Sequence, residues 1–521
     1  MNRRKNILTG IKGFDDILGG GIREGDSILI QGAPGTGKTT AGMQFIVQGV
    51  KEYGEPGVIV VFEYEPRKLL DDAEGFGWDL EKLEKENKLK VIYTSASVIL
   101  DEIHSKDNLI AQTVKEIGAK RIFIDSLTPL RHHAEVISNR PFRHSLDLLT
   151  EFLSDLDLTS ILSQEAPEGL RSQEVTIGSE QYLVDGVVEL RHELHHRNIH
   201  RYAEIIKLRG RDPVLGQHSF LIKSGAGIEM YRRAQSQPKY VEDNSTFSSE
   251  RLSSGIEGLD KILDGGLYKG SITMISGISG TGKSLACMQF LAEGAKQGEN
   301  TLYVSLEESP KQLINEGKNI GIPEDLFETE KIRIMYHPPV ELELDIHFHK
   351  MFAAVEKYQI KRVVVDSMTA YSSSNTEETK EFFYALTSIL KSKGATVFLS
   401  YEASELFGVS EISHRPKTSS IVDNIILLNY IEISTQLRRG ITVPKARGTN
   451  NNRDTHEFVI DKDGIHVLPN GEGNRRVEQL PFNSYRSLIG KAPTRRSVSQ
   501  KKPDSENEYE YRTERDEEPR D

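Results

Sequence analysis

The feature that most restricts the fold is a long internal repeat. The segment ILGGGIREGDSILIQGAPGTGKTT, Ile17 to Thr40, returns as ILDGGLYKGSITMISGISGTGKSL, Ile262 to Leu285, 245 positions downstream. Later landmarks keep pace: Glu63 with Glu307, Asp125 with Asp366, and Arg209-Gly210 with Arg447-Gly448 lie 244, 241 and 238 positions apart. Such a slow drift is what short loop deletions produce inside one fold, at a period far longer than a solenoid unit. The chain reads as one domain duplicated. Its 521 residues also exceed what one core holds, and two units of about 200–250 residues with a tail account for them.

The boundaries follow from composition. Residues 1–235 form the first unit, the polar stretch 236–250 a linker, 251–490 the second unit, and 491–521 a charged tail almost devoid of aliphatics that reads as disordered. Within the first unit, apolar runs at Ser27–Gln31, Val58–Phe62, Arg121–Asp125, Thr159–Ser163 and Val184–Leu190 are separated by helical patterns such as Phe142–Leu156. Continuous apolar strands interleaved with helices predict an α/β fold with a mostly parallel sheet covered on both faces. No stretch approaches the 18 or more apolar residues of a membrane span. Cys287 is the single cysteine, which excludes an intrachain disulfide and a cysteine cluster for zinc, and points to a reducing cytoplasm. A net charge of −12 disfavours broad binding of nucleic acid backbones.

Two segments match G-x-x-x-x-G-K-[ST], each after a strand and opening a helix. They assign phosphate contacts to Gly32, Gly35, Thr36, Gly37, Lys38, Thr39 and Thr40, and to Gly277, Gly280, Thr281, Gly282, Lys283, Ser284 and Leu285. The glycines let backbone N–H groups turn toward the phosphates, and the helix N-terminus adds partial positive charge. Lys38 and Lys283 reach the β- and γ-phosphates, while Thr39 and Ser284 are placed to ligate Mg²⁺. A glycine turn arising by chance is the plain alternative, and two copies in register argue against it. Asp125 and Asp366 close apolar runs, where a carboxylate holds the same metal through its water shell. Glu63 and Glu307 end the runs VIVVF and LYVSL, expected beside the P-loop strand, and are candidate bases for the attacking water; Glu308 adds a second acid in copy two. Copy one has Glu63-Tyr64-Glu65 there, its second acid displaced by one position. Lys207 with Arg209, and Lys445 with Arg447, lie late in each copy, where they either belong to a basic surface strand or complete a phosphate site, their own or a neighbour's.

These residues resemble the KaiC family of RecA-like ATPases over about residues 5–470. The marks are the tandem P-loops with a Gly-Gly turn before each, FGWDL at Phe76–Leu80, Glu307-Glu308, and VDNIILLNYIEI at Val422–Ile433. The resemblance implies two tandem RecA-like domains in a double-ring homohexamer with ATP at each subunit interface. It implies that Lys207, Arg209, Lys445 and Arg447 act on the neighbour's ATP, with Arg439 similar to a further interface arginine. It implies slow hydrolysis in the first ring and, in the second, autophosphorylation of hydroxyls that correspond to Ser419 and Ser420. Two departures stand out: Tyr64 replaces the second glutamate in copy one, and the tail from Lys491 begins like the family's PTR segment, then turns highly polar without an apolar face.

The leading expectation is therefore a cytoplasmic ATPase and autokinase that uses ATP and Mg²⁺ and reports nucleotide state to a signalling or clock-type protein partner. A RecA-like DNA motor is the second reading, set against acidic net charge and small basic loops at Arg131-His132-His133 and Arg140–Arg143. A scaffold in which ATP only glues the ring is the third, and turnover by the purified protein separates it from the first.

Overall fold

The structure, a computed structural model, describes residues 4–62, 65–103, 105, 108–166, 179–195, 198–236, 248–339, 342–373, 376–403, 421–433 and 436–468. Each copy is built on one nine-stranded sheet. In copy one the strands are β1 (Ser27–Gly32), β2 (Gly57–Phe62), β3 (Leu89–Thr94), β4 (Arg121–Asp125), β5 (Thr159–Glu165), β6 (Gly186–His195), β7 (Asn198–Leu208), β8 (Gln217–Lys223) and β9 (Gly227–Tyr231). In copy two they are β10 (Ile272–Gly277), β11 (Thr301–Ser305), β12 (Ile332–Tyr336), β13 (Arg362–Asp366), β14 (Thr396–Glu402), β15 (Asn424–Ile433), β16 (Gln436–Ala446), β17 (His456–Asp461) and β18 (Gly464–Val467). The spatial orders are β9-β8-β7-β6-β1-β5-β4-β2-β3 and β12-β11-β13-β14-β10-β15-β16-β17-β18, the same arrangement in both copies.

Strands β3-β2-β4-β5-β1-β6 and their counterparts pair in parallel, and the last three strands of each copy add antiparallel hairpins. The central strands β1, β2 and β4 are buried along their whole length, which is why they read as unbroken apolar runs rather than as alternations. Two apolar clusters per copy lie on opposite sides of the sheet. The helices that cover it include α1 (Lys38–Tyr53), α2 (Phe142–Asp155), α3 (Lys283–Lys296), α4 (Pro310–Asn319), α5 (Leu344–Lys357) and α6 (Thr376–Ser392). No helix among the described residues is long and apolar enough to cross a membrane.

The copies meet where α5 packs on β8 and β9. Asp345 near the start of α5 accepts from the backbone N–H of Ala234 (2.9 Å), and His349 Nε2 donates to the Arg232 carbonyl (2.8 Å). Ala234 is fully buried in the apolar cluster of copy two.

One expectation is corrected here. The strand preceding each candidate base is not beside the P-loop strand. β5 and β4 separate β1 from β2, and β14 and β13 separate β10 from β11. Chain order does not give spatial order when crossover connections carry later strands between earlier ones. On that side the P-loop strands pair with β5 and β14, which end in Glu165 and Glu402.

Candidate nucleotide site

Each P-loop joins a central strand to a helix, β1 to α1 and β10 to α3. Gly35, Gly37, Gly280 and Gly282 have φ of 77°, 99°, 81° and 104°, a left-handed backbone that a side chain disfavours, so the loop can turn its N–H groups inward only with glycine there. Thr36 and Thr281 are buried and close the loop by donating to the carbonyls of Ala33 and Ile278, each at 2.8 Å. Lys38 Nζ donates to the Gly32 and Ala33 carbonyls (2.9 Å each), and Lys283 Nζ to Ile278 (3.0 Å). Burial lowers the Lys38 pKa from its ordinary value, while Glu165 and Asp125 pull it back up.

The carboxylates that close β4 and β13 are held differently. In copy one Thr39 Oγ1 donates to Asp125 Oδ2 at 2.7 Å, and Ser163 Oγ bonds the other carboxylate oxygen. In copy two the fully buried Tyr303 donates to Asp366 Oδ2. Ser400, which sits at the Ser163 position by sheet register, has a buried hydroxyl without a partner.

A cavity of about 540 Å³ opens beside the second P-loop, lined by Lys283, Ser284, Leu285, Glu307, Glu308, Glu316, Asn319, Asp366, Ser367, Glu402 and Arg439 among others. It lies beyond the C-terminal ends of β10, β11, β13 and β14, where ligands bind in open parallel sheets. Glu307 is exposed to the cavity, and its Oε1 accepts from Ser367 Oγ at 2.8 Å. The turn that carries it is pinned from both sides: Leu306 N–H donates to the Asp366 carbonyl (2.8 Å), and Glu308 N–H to Ser305 Oγ (3.1 Å). Glu308 is half-buried with Oε2 unpartnered, and burial, then Glu316, Asp366 and Glu307, push its pKa up to about 7 against the pull of Lys283. The adjacent acids are thus unequal: one oriented by a donor, one holding its proton near neutrality.

Glu63 and Tyr64 lie outside the described residues, as do Ser419 and Ser420. The displaced acid Glu65 stands at the N-cap position of the helix Pro66–Gly75 without a side-chain capping bond, and pairs with Lys68 at 3.7 Å.

The late cations sit at the other end of the sheet. Through β6, Leu208 is level with Ile28, and through β15, Ala446 is level with Thr273. Those positions are four residues back from Gly32 and Gly277, about 13 Å along the strand. Lys207 Nζ donates to the carbonyls of Gln181 (2.7 Å) and Val184 (2.6 Å), and Lys445 Nζ to Val422 (2.8 Å). Arg209 pairs with Asp185 at 3.7 Å and Arg447 with Asp423 at 3.4 Å. Arg439 differs. Paired with Tyr430, two positions past the residue level with Gly277, it lines the cavity of its own chain with Nε unpartnered, rather than standing with the distant cations.

The family described as "ATPase: KaiC" matches residues 7–235 and again 252–472, one match for each sheet. The chain belongs to the KaiC family. The circadian clock protein KaiC3 of Synechocystis sp. is 33% identical over 472 residues, 89% of this chain and 92% of that protein. The circadian clock oscillator protein KaiC of Picosynechococcus sp. is 30% identical over 510 residues, covering 95% and 94%. That of Thermostichus vulcanus is 30% identical over 505 residues, covering 95% and 93%. The two sheets are accordingly tandem RecA-like ATPase domains, and ATP binding goes with the family. Within this KaiC-family site, sequence reasoning missed Tyr303, Glu316, Asn319, and the pair Glu165 and Glu402. Tyr303 reads as one more apolar strand residue; the glutamates could have been found from the repeat, because they stand 237 positions apart in register.

Proposed function

We propose that both copies bind and hydrolyse Mg-ATP in a homohexamer, and that copy two also transfers the γ-phosphate to Ser419 or Ser420. The observation that carries the reading is the oriented Glu307: its carboxylate, held by Ser367, shares one cavity with Lys283, Ser284 and Asp366. The metal fit is good in kind, since Thr39 with Asp125 and Ser284 with Asp366 offer hard oxygens, and a 2.7 Å contact brings the first pair to one point. Bound there, Mg²⁺ neutralises charge on the β- and γ-phosphates.

The protein's own part is then positional. Glu307 accepts the proton of the attacking water as its oxygen bonds to the γ-phosphorus, and the bond to the bridging oxygen breaks to release ADP. Lys283 steadies the γ-phosphate, and Arg439 meets the growing charge from within the same chain. For autophosphorylation a serine hydroxyl takes the place of water, giving up its proton to Glu307. Lys207, Arg209, Lys445 and Arg447 sit too far along the sheet to reach their own P-loops, which favours contact with a neighbour's ATP. Coupling of nucleotide state to a protein partner follows as the use of such a ring.

Intact mass after incubation with Mg-ATP tests the kinase step. The parent is expected to gain phosphate, and Glu307→Gln and the double variant Ser419→Ala/Ser420→Ala to gain none. An unmodified parent, or a double alanine variant as phosphorylated as the parent, refutes it.

A further inference from the structure

The strand between each metal-facing aspartate and its P-loop ends in a glutamate that the hydrolysis scheme does not use. Glu402 is level with Gly277 on β14, and Asp366 ends β13 on the far side of the same strand. It lines the cavity together with Lys283, Ser284 and Asp366. Its backbone is fixed, since Glu402 N–H donates to Thr369 Oγ1 at 3.0 Å. Copy one repeats the arrangement. Glu165 is level with Gly32, its N–H donates to Thr128 Oγ1 at 3.3 Å, and its charge is felt at Lys38.

With a nucleotide in the P-loop, a carboxylate in that place would stand toward its terminal phosphate. The P-loop wraps the phosphates from the strand end, and the lysine and the metal-facing aspartate flank the terminal one. A negative group between those two flanks faces the γ-phosphate and leaves the α- and β-phosphates to the loop. Like charges at such separation oppose each other, and the opposition is felt by ATP and largely spared ADP.

We propose that Glu402 and Glu165 set the nucleotide preference of the two sites: each weakens ATP relative to ADP, so that occupancy follows the ratio of the two nucleotides rather than saturating with ATP. The proposal rests on the reading that both P-loops hold Mg-nucleotide. A metal-holding role for the same carboxylate predicts the opposite sign, because neutralising a ligand would loosen Mg-ATP.

The test is isothermal titration of the full-length protein with Mg-ADP and with a non-hydrolysable Mg-ATP analogue carrying an imido bridge. Glu402→Gln/Glu165→Gln is expected to tighten the analogue about ten-fold while ADP changes by less than about two-fold. Each single variant should shift only one of the two sites. A purely structural role would move both nucleotides together. An unchanged ratio, or weaker binding of the analogue, overturns the proposal. If the parent itself binds neither nucleotide, it is the underlying Mg-ATP reading that fails. Should the double variant not fold, Glu165→Gln alone decides, since Glu165 is exposed at its strand end.

Discussion

Tyr303 donates from its buried hydroxyl to Asp366 Oδ2, tying the core of the second copy to a carboxylate that lines the cavity beside the P-loop. By sheet register the first copy has Ile59 in that position, and holds Asp125 with Thr39 and Ser163 instead. A bond from outside the ligand shell fixes a carboxylate's orientation, and its loss commonly costs about 10- to 100-fold in metal affinity. Tyr303→Phe keeps the ring and removes only the donor. Phosphate release from copy two should then need about ten-fold more Mg²⁺ for half-maximal rate, with little change in thermal stability. A Mg²⁺ titration identical to the parent's would show that Tyr303 serves packing alone.

Glu307 and Glu308 are neighbours in sequence and sit in unlike surroundings. Glu307 accepts from Ser367, whereas Glu308 holds its proton up to about pH 7. In a Glu63→Gln background, which is intended to silence copy one, Glu307→Gln should lower phosphate release by about 10²-fold or more. Glu308→Gln, which mimics the protonated form already present, should cost only a few-fold. Equal losses from the two substitutions would mean that the pair acts as a unit.

Arg447 is held in place before any neighbour arrives. Asp423 is buried, pairs with Arg447 at 3.4 Å and with Lys391 on α6 at 2.8 Å, and accepts from the N–H that opens β10 at 2.9 Å. Asp185 repeats the last contact with Ser27 N–H at 3.0 Å and the first with Arg209. Cations so placed have no phosphate within their own chain, so assembly should depend on a neighbour's nucleotide. Light scattering should find six chains together with ATP and smaller species without it, and Lys38→Ala should shift the balance toward the smaller ones. A ring indifferent to both ATP and Lys38→Ala would refute the trans assignment.

The fold was legible in the sequence because its strongest signals are local and repeated. Apolar runs such as Val58–Phe62 and Arg121–Asp125 emerge as strands at nearly those positions, because strands buried on both faces need no alternation. The P-loops were legible for the same reason, since glycine spacing is a backbone requirement. What the sequence hid was lateral order. Nothing local says that β14 and β13 slip between β10 and β11, so Glu402 passed as an ordinary strand end and Glu307 was placed two strands too close. Arg439 was hidden likewise: eight residues from Arg447 along β16, it lies at the opposite end of the sheet.

The junction of the two copies should respond to pH through Glu343, which stands at the N-cap position of α5. Burial, then the neighbouring charge of Asp345, push its pKa up to about 7, while Arg201 and Lys350 pull it down. Its Oε2 is buried without a partner, and His200 Nδ1 stands 3.5 Å from Oε1. The folded protein therefore keeps a proton on Glu343 between the ordinary glutamate range and about pH 7, where the unfolded chain has released it. A group raised in this way contributes stability that is fully present below the unfolded pKa and is lost as pH rises through the folded one. Other groups titrate across the same range, including His218, whose pKa burial lowers to about 4, so the parent's pH profile alone is ambiguous. The difference from Glu343→Gln isolates the one carboxyl. Near pH 4, below the unfolded pKa, the neutral amide and the protonated acid should support nearly equal stability in denaturant. By pH 8 the variant should gain about 1–2 kcal/mol over the parent, after allowance for partial solvation. A gap that stays constant from pH 4 to 8 would show that Glu343 ionises alike in the folded and unfolded chain, and that the α5 junction carries no such proton.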